Sequence, residues 1–255
     1  MQTPLTAQVR GDAANSRMAP ILAAAHLSKV PVRCHALIPA AGTGSRAGTA
    51  GPKQYENLAG RMLVQHTLEA FTHVDRIASV LVVVAPGDEL MPAGPGHRIS
   101  LCGGATRAAS VAAGLADLQA HGAHDDDWVL VHDAARCLVT PAQIDRLIDA
   151  CQGDEVGGLL AQPLADTLKE EEGGRVARTL SRDRKWLAQT PQMFRLALLR
   201  RALEHAGDAV TDEASAIEAI GLRPRLVAGS PQNFKVTWPE DFALAEAVLR
   251  SRTTT

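Results

Sequence analysis

The run SVLVVVA, Ser79 to Ala85, constrains this chain more than any other stretch. It has no polar face to turn toward water, so it belongs in a strand covered on both sides. WVLVHDAAR, Trp128 to Arg136, begins with the same apolar character and runs into a polar end. Strands buried on both faces are typical of parallel sheets, whose crossovers are helices. The rest of the chain must therefore supply helices between strands.

From Cys34 onward it does. His35-Ala36-Leu37-Ile38-Pro39 reads as the end of a first strand. Met62 to Phe71 reads as a helix with Leu63, Val64, Thr67, Leu68 and Phe71 on one face. Arg98 to Cys102 is a short strand, and Thr106 to Leu118 a helix of small, closely packing residues. Pro141 to Cys151 is a helix with proline at its first position, where the missing N–H costs nothing. Val156 to Ala161 is a strand, and Arg195 to His205 and Thr211 to Ile220 are helices. Arg225 to Ala228 and Asn233 to Thr237 are short strands, and Pro239 to Arg250 closes the chain as a helix. The alternation predicts an α/β domain with a mostly parallel sheet and helices on both faces.

Asp166 to Gln189 breaks the rhythm, being charged and poor in apolar residues. Gly173-Gly174 between Thr167–Lys169 and Val176–Leu180 is a hairpin signal. The segment is either a solvated insertion or a β-arm that packs on a partner subunit. Domain limits follow: a disordered leader over 1–33, one domain over 34–251 with an arm insertion at about 163–190, and a tail over 252–255. The apolar patch Ala19 to Ala25 contains Pro20 and is barely long enough for a signal peptide, so a disordered leader is the favoured reading. Met18 is a candidate alternative start.

The net charge of −2 marks the chain as neither a nucleic-acid nor a membrane binder. Aromatic residues make up only 3%, too few for base-stacking platforms. Four scattered cysteines form no CxxC pair, so a reduced, cytoplasmic protein is expected. The histidines show no metal-ligand spacing, and there is no GxSxG elbow.

Three stretches carry candidate chemistry. AAGTGSRAGTAGPKQ, Ala40 to Gln54, follows the first strand. It contains a GxGxxA match but lacks the acid about twenty residues on that a dinucleotide site needs. The P-loop pattern fails too, because Lys53 follows Pro52 and precedes Gln54. What remains is either a flexible surface turn or a loop whose N–H groups approach phosphate beside Arg46 and Lys53. One cation at about 4 Å from a phosphate oxygen is worth up to roughly 4 kcal/mol at an effective dielectric of 20. VHDAAR ends a buried strand, where open α/β sheets bind ligands. Asp133 there could hold Mg2+, a ribose hydroxyl, or a helix N-terminus with Arg136 as its ion-pair partner. GGATRAASV, Gly103 to Val111, is either an ordinary strand–helix turn or a place for backbone contacts to a base and a side-chain hydroxyl contact, with Thr106, Arg107 and Ser110 in the first helical turn. In TDEAS, Thr211 reads as a helix cap with acids in the first turn, so capping is the expected role of Glu213. A lone Lys235 is ordinarily solvated.

In this order, PAAGTGSRAG…GPKQY, GGATRAASV, VHDAAR, DT, TPQ, TDEAS and NFKVT resemble the 2-C-methyl-D-erythritol 4-phosphate cytidylyltransferases, over nearly all of residues 34 to 250. The resemblance implies a Rossmann-like nucleotidyltransferase fold with a β-arm, acting as a homodimer. It implies transfer of CMP from CTP to 2-C-methyl-D-erythritol 4-phosphate with Mg2+ as cofactor and pyrophosphate as product. Arg46 and Lys53 would stabilise the transition state at the α-phosphate. Ala40, Ala41, Gly42, Gly104 and Ser110 would hold the cytidine. Asp133 would touch the ribose or the polyol and the metal region, with Arg136 beside it in the substrate site. Arg182 and Lys235 would position the polyol phosphate, and Thr167 and Arg182 would reach into the partner's site. Two residues depart from the pattern. Cys137 replaces the usual proline, which implies a looser loop after Arg136. Ala105 replaces an acid whose contact is mainly main-chain, which implies little loss. Cytidylyl transfer to ribitol 5-phosphate, sugar-1-phosphate nucleotidyl transfer, a nicotinamide oxidoreductase and a binding module are the weaker readings.

Overall fold

The structure is a computed structural model and describes residues 31–44, 47–49, 51–207 and 210–253. The chain separates into two units, Met1–Pro31 and Val32–Thr255. Residues 1–30 of the expected leader, with the apolar patch at 19–25 and the alternative start at Met18, lie outside the described residues, whereas Arg33 is bonded to the domain.

The second unit contains β1 (Cys34–Pro39), β2 (Asn57–Leu58), β3 (Arg61–Met62), α1 (Leu63–Thr72), β4 (Ile77–Val83) and β5 (Arg98–Ser100). These are followed by α2 (Arg107–Ala120), β6 (Trp128–Val131), α3 (Pro141–Cys151), β7 (Gly157–Pro163), β8 (Leu168–Glu172) and β9 (Arg175–Leu180). The last elements are β10 (Trp186–Arg195), α4 (Leu196–Ala206), α5 (Glu213–Ala219), β11 (Arg225–Ala228) and α6 (Pro239–Thr253).

The main sheet has the order β11-β7-β10-β6-β1-β4-β5 among the described residues. Its neighbours pair parallel except at β10, which runs antiparallel to both β6 and β7. Ala36, Leu37 and Ile38 of β1 and Leu130 and Val131 of β6 are fully buried. α1 and α3 cover one face through Val64, Leu68, Phe71, Ile144 and Leu147. α2, α4 and α5 cover the other through Val111, Leu115, Leu199 and Ile217. Each such side chain contributes roughly 1.5–3 kcal/mol on burial. A third cluster packs Leu58, Leu63, Leu138, Val236 and Ala245 around Cys137. Among the described residues no helix is long and apolar enough to cross a membrane.

Besides the two-residue strands β2 and β3 and the extension of α6 into the expected tail, two elements differ from the sequence reading. β10 is missing from it, because a polar stretch containing Pro191 argues against a sheet interior. The register between β10 and β7 is irregular from Ala188 to Gln192, so Pro191 sits where the ladder is already interrupted and its missing N–H breaks no bond. Residues 186–190 therefore belong to the sheet and not to the arm. The second difference is Asn233 to Thr237, which is not a strand. Its backbone bonds go to a turn, Asn233 N–H to the Ser230 carbonyl (3.0 Å), and to one loop, Val236 N–H to the Ala135 carbonyl (2.9 Å). Among the described residues no strand pairs with it to extend a ladder.

The arm itself is a hairpin of β8 and β9. Gly173 and Gly174 turn it with φ of 60° and 77°, values that favour glycine at both places.

At the amino ends of the strands, buried Asp127 joins three segments. It accepts from the backbone N–H groups of Arg33 and His124, each at 2.8 Å. His35 donates to it through Nε2 (3.2 Å), leaving Nδ1 to accept from the Ser79 hydroxyl (2.8 Å). Burial alone would raise the Asp127 carboxyl. The His124 and Arg33 amides with His35 outweigh it and hold the group below its ordinary value. Asp127→Ala should therefore destabilise the fold by roughly 1–3 kcal/mol for each buried donor left unpaired. Because the folded value is depressed, the contribution is full above about pH 4 and disappears as pH falls further. Chemical denaturation of wild type and variant against pH checks this: the stability gap should close in acid.

Candidate active site

Three loops meet at the carboxyl ends of β1, β5 and β6. The first runs from Ala40 to Gly44 and is held from beneath by Gln54, which is buried. Gln54 Nε2 donates to the carbonyls of Ala40 (2.8 Å) and Gly42 (3.0 Å), so the loop's shape is fixed by a side chain twelve to fourteen positions along. The second loop runs from Gly103 to Thr106. A Cβ at Gly103 would lie 2.4 Å from the Ala41 Cβ and 2.6 Å from the Val84 carbonyl oxygen. Only glycine lets the first two loops approach this closely. Ser110 is buried and its hydroxyl accepts from the Gly104 N–H (3.1 Å). Thr106 caps α2 by accepting from the Ala109 N–H (3.0 Å).

The third loop is His132 to Arg136. Asp133 N–H donates to the Thr190 hydroxyl oxygen (3.1 Å), and that hydroxyl donates to His132 Nδ1 (3.0 Å). His132 Nε2 then donates to the Arg136 carbonyl (3.2 Å). This chain of bonds sets the backbone on which Asp133 stands. Val139 N–H donates to the Arg136 carbonyl, and Cys137 is 2% exposed among apolar neighbours, with its thiol pushed by burial up to about 12.

Asp133 is gripped from two sides. Arg107 Nε donates to Oδ1 (2.8 Å), and Lys235 Nζ lies 2.7 Å from Oδ2. Burial would raise this carboxyl, but the two cations prevail and hold it far below the usual carboxylate range. Arg107 also grips Glu213, Nη1 to Oε1 at 2.6 Å and Nη2 to Oε2 at 3.0 Å. Glu213 is thus not the helix cap suggested by its position. Asp212, rather than Thr211, caps α5 by accepting from the Ser215 N–H (2.9 Å).

Two cavities share this wall. One, of about 230 Å³, is lined by Ala40, Ala41, Gly42, Lys53, Gly104 and Ser110 together with Arg107, Asp133 and Lys235. The other, of about 200 Å³, is lined by Arg136, Thr190, Gln192 and Thr211 with the same Arg107, Asp133 and Lys235. Lys53 Nζ donates to the Val236 carbonyl (2.6 Å), which brings the two lysine segments together. Arg136 donates to the carbonyls of Asn233 (2.7 Å) and Ala188 (3.2 Å).

The geometry thus brings together Ala40, Ala41, Gly42, Lys53, Gly104, Ser110, Asp133, Arg136 and Lys235. Arg46 lies outside the described residues. Thr167 and Arg182 are exposed near the arm, where Arg182 donates to the Ala165 carbonyl, and they line neither cavity. Sequence reasoning passed over Gln54, Arg107 and Thr190. All three stood inside quoted motifs, but their partners are remote in sequence. As a metal ligand Asp133 fits poorly, since each oxygen already faces a cation. No group of three metal-ligating side chains occurs among the described residues.

The sheet opens its carboxyl ends onto a glycine-lined cavity, with a second cavity across one charged wall, and comparison with known proteins makes the chain a nucleotidyltransferase. The family model IspD, 2-C-methyl-D-erythritol 4-phosphate cytidylyltransferase, matches residues 34–251, and the chain belongs to that family. It is 59% identical over 224 residues to the 2-C-methyl-D-erythritol 4-phosphate cytidylyltransferase of Laribacter hongkongensis, covering 85% of this chain and 96% of that one. It is 64% identical over 224 residues to the bifunctional enzyme IspD/IspF of Albidiferax ferrireducens, covering 86% of this chain but only 54% of that protein. A crystal structure of 4-diphosphocytidyl-2C-methyl-D-erythritol synthase superposes with a TM-score of 0.78 at 39% identity, covering 86% of this chain and 100% of that one. The cytidylyltransferase from Thermus thermophilus superposes with a TM-score of 0.71 at 38% identity, covering 84% and 98%.

His132 lies at the heart of the third loop, and burial drives its imidazole down to about 3. It stays neutral throughout the physiological range. His132→Gln should lower thermal stability while leaving the apparent pKa of turnover unchanged between about pH 5 and 8. A shift of that pKa in the pH–rate profile would assign His132 a proton-transfer role.

Proposed function

We propose that this chain transfers CMP from CTP to 2-C-methyl-D-erythritol 4-phosphate, giving 4-diphosphocytidyl-2-C-methyl-D-erythritol and pyrophosphate. The observation that carries the reading is the pair of cavities sharing the Arg107–Asp133–Lys235 wall. CTP occupies the cavity of Ala40, Ala41, Gly42, Gly104 and Ser110. The polyol phosphate occupies the cavity of Arg136, Thr190 and Thr211.

The attacking group is a phosphate whose second ionisation lies near pH 6, so it is already an anion at neutral pH. It needs no strong base. An oxygen of that phosphate attacks the α-phosphorus of CTP, the bond from that phosphorus to the β-bridging oxygen breaks, and pyrophosphate carries the electron pair away. The obstacle is repulsion between two anions, and the chain's task is to screen and align them. Lys53 and Arg46 meet the charge that builds at the α-phosphate. Lys235 faces both cavities and lines up the acceptor. Asp133, kept ionised, orients hydroxyls. Mg2+ is hard and prefers oxygen, and the triphosphate itself would offer its natural ligands. In a homodimer the exposed arm would place Thr167 and Arg182 at the partner's acceptor cavity. A reduced, cytoplasmic setting suits four free cysteines.

Pyrophosphate release from CTP and Mg2+ tests the reading, with 2-C-methyl-D-erythritol 4-phosphate in one reaction and ribitol 5-phosphate in another. Release only with the former is expected; no release with it would overturn the assignment. Lys53→Ala should lower turnover by about a hundredfold or more, the scale on which one preorganised charge contact acts. Near wild-type turnover in that variant would remove Lys53 from the mechanism.

A further inference from the structure

Glu213 is a buried carboxylate, 1% exposed, that the reaction outlined above does not use. It touches neither principal cavity. Its two oxygens are both taken by the Arg107 guanidinium in a bidentate grip. The remaining edge of that guanidinium, Nε, donates to Asp133 Oδ1, and Asp133 Oδ2 holds Lys235. Four charges of alternating sign therefore run in line from α5, through the first residue of α2 and the loop after β6, to the 233–237 segment.

The far end of this line is itself anchored. Gln192, 1% exposed on β10, accepts from the Ala214 N–H (2.7 Å) and donates to Asp212 Oδ2 (2.8 Å), fixing the first turn of α5. A buried ion pair adds little net stability compared with well-packed apolar side chains, because desolvation offsets the attraction. A cation at the first residue of α2 is also opposed by the positive end of that helix. Stability alone gives little reason for the arrangement. Orientation gives one. A fork held at two points by Glu213 can present Nε only toward Asp133, and a guanidinium without that grip could swing into either cavity.

We propose that Glu213 is a positioning residue for the transfer reaction. Acting through Arg107 it fixes Asp133, and through Asp133 it fixes Lys235, at the wall between donor and acceptor cavities. The inference rests on the proposed function, since it assigns the two cavities to the two substrates.

Glu213→Gln is the test. The amide keeps the shape but has only one acceptor oxygen, so the bidentate grip is lost. Turnover should fall by about tenfold or more, as misplacement of a substrate-positioning group does. The KM for CTP should change less than turnover, because Gln54 and the close approach at Gly103, not Glu213, shape the Ala40–Gly44 and Gly103–Gly104 loops. Arg107→Lys keeps the charge but lacks the fork, and should show the same pattern. The double variant should be no worse than Arg107→Lys alone, since Glu213 acts only through Arg107. Glu213→Asp, which retains the charge, should recover part of the loss. Wild-type turnover in Glu213→Gln would overturn the proposal, and so would a double variant whose loss is the product of the two single losses. Should Glu213→Gln be too unstable to assay, wild-type turnover in Arg107→Lys overturns it equally. A wild-type enzyme silent toward the polyol phosphate would instead count against the proposed function, so the two failures are distinguishable.

Discussion

The salt-bridged carboxylate of Asp133 is the constraint around which the site is arranged. It is nearly buried at the carboxyl end of the sheet, and an isolated charge there would be strongly unfavourable. Arg107 and Lys235 make it possible, and each arrives from a different part of the chain. Placing them requires α2 to begin at residue 107, and it requires the 233–237 segment to bond to the loop after β6 at Ala135. A single ionised group thus ties together three segments that the sheet alone would leave independent. The same group lines both cavities.

The sheet explains why this assembly sits where it does. β1, β5 and β6 are parallel in direction, so their carboxyl ends emerge on one edge and their loops converge. The antiparallel β10 brings Thr190 and Gln192 to that edge from the opposite direction. Thr190 sets the backbone of Asp133, and Gln192 sets the first turn of α5. The amino ends are closed by a different device, the hydrogen bonds of the Asp127 junction. The two ends of β6 therefore divide the labour, one supporting stability and the other presenting charge to substrate.

Elements made of apolar runs or clean caps could be read directly from the sequence. SVLVVVA and WVLV could be nothing but buried strands, and Thr140-Pro141 marked the start of α3 to the residue. Glycine at 173 and 174 announced the arm. β10 could not be read, because its polar and proline-containing middle is tolerated only where the ladder with β7 is already irregular, and that is a property of the pairing. The Asn233–Thr237 segment looked like a strand by its alternation, yet no strand among the described residues pairs with it. In the site, Lys53, Asp133 and Lys235 stood out through the order of the motifs. Gln54, Arg107 and Glu213 did not, since their roles depend on contacts 12 to 106 positions away. For Glu213, local chemistry favoured capping, and only the tertiary ion pair with Arg107 reassigns it.

The central claim is that two anions meet across a charged wall, and that the acceptor phosphate attacks the nucleotide directly with no side chain becoming covalently attached to it. The stereochemical course at the α-phosphorus tests it most directly. With CTP made chiral by sulfur at that position, direct in-line attack by the polyol phosphate predicts inversion of configuration in the product. Net retention would mean two successive displacements through an enzyme-bound nucleotidyl group, and would contradict the account.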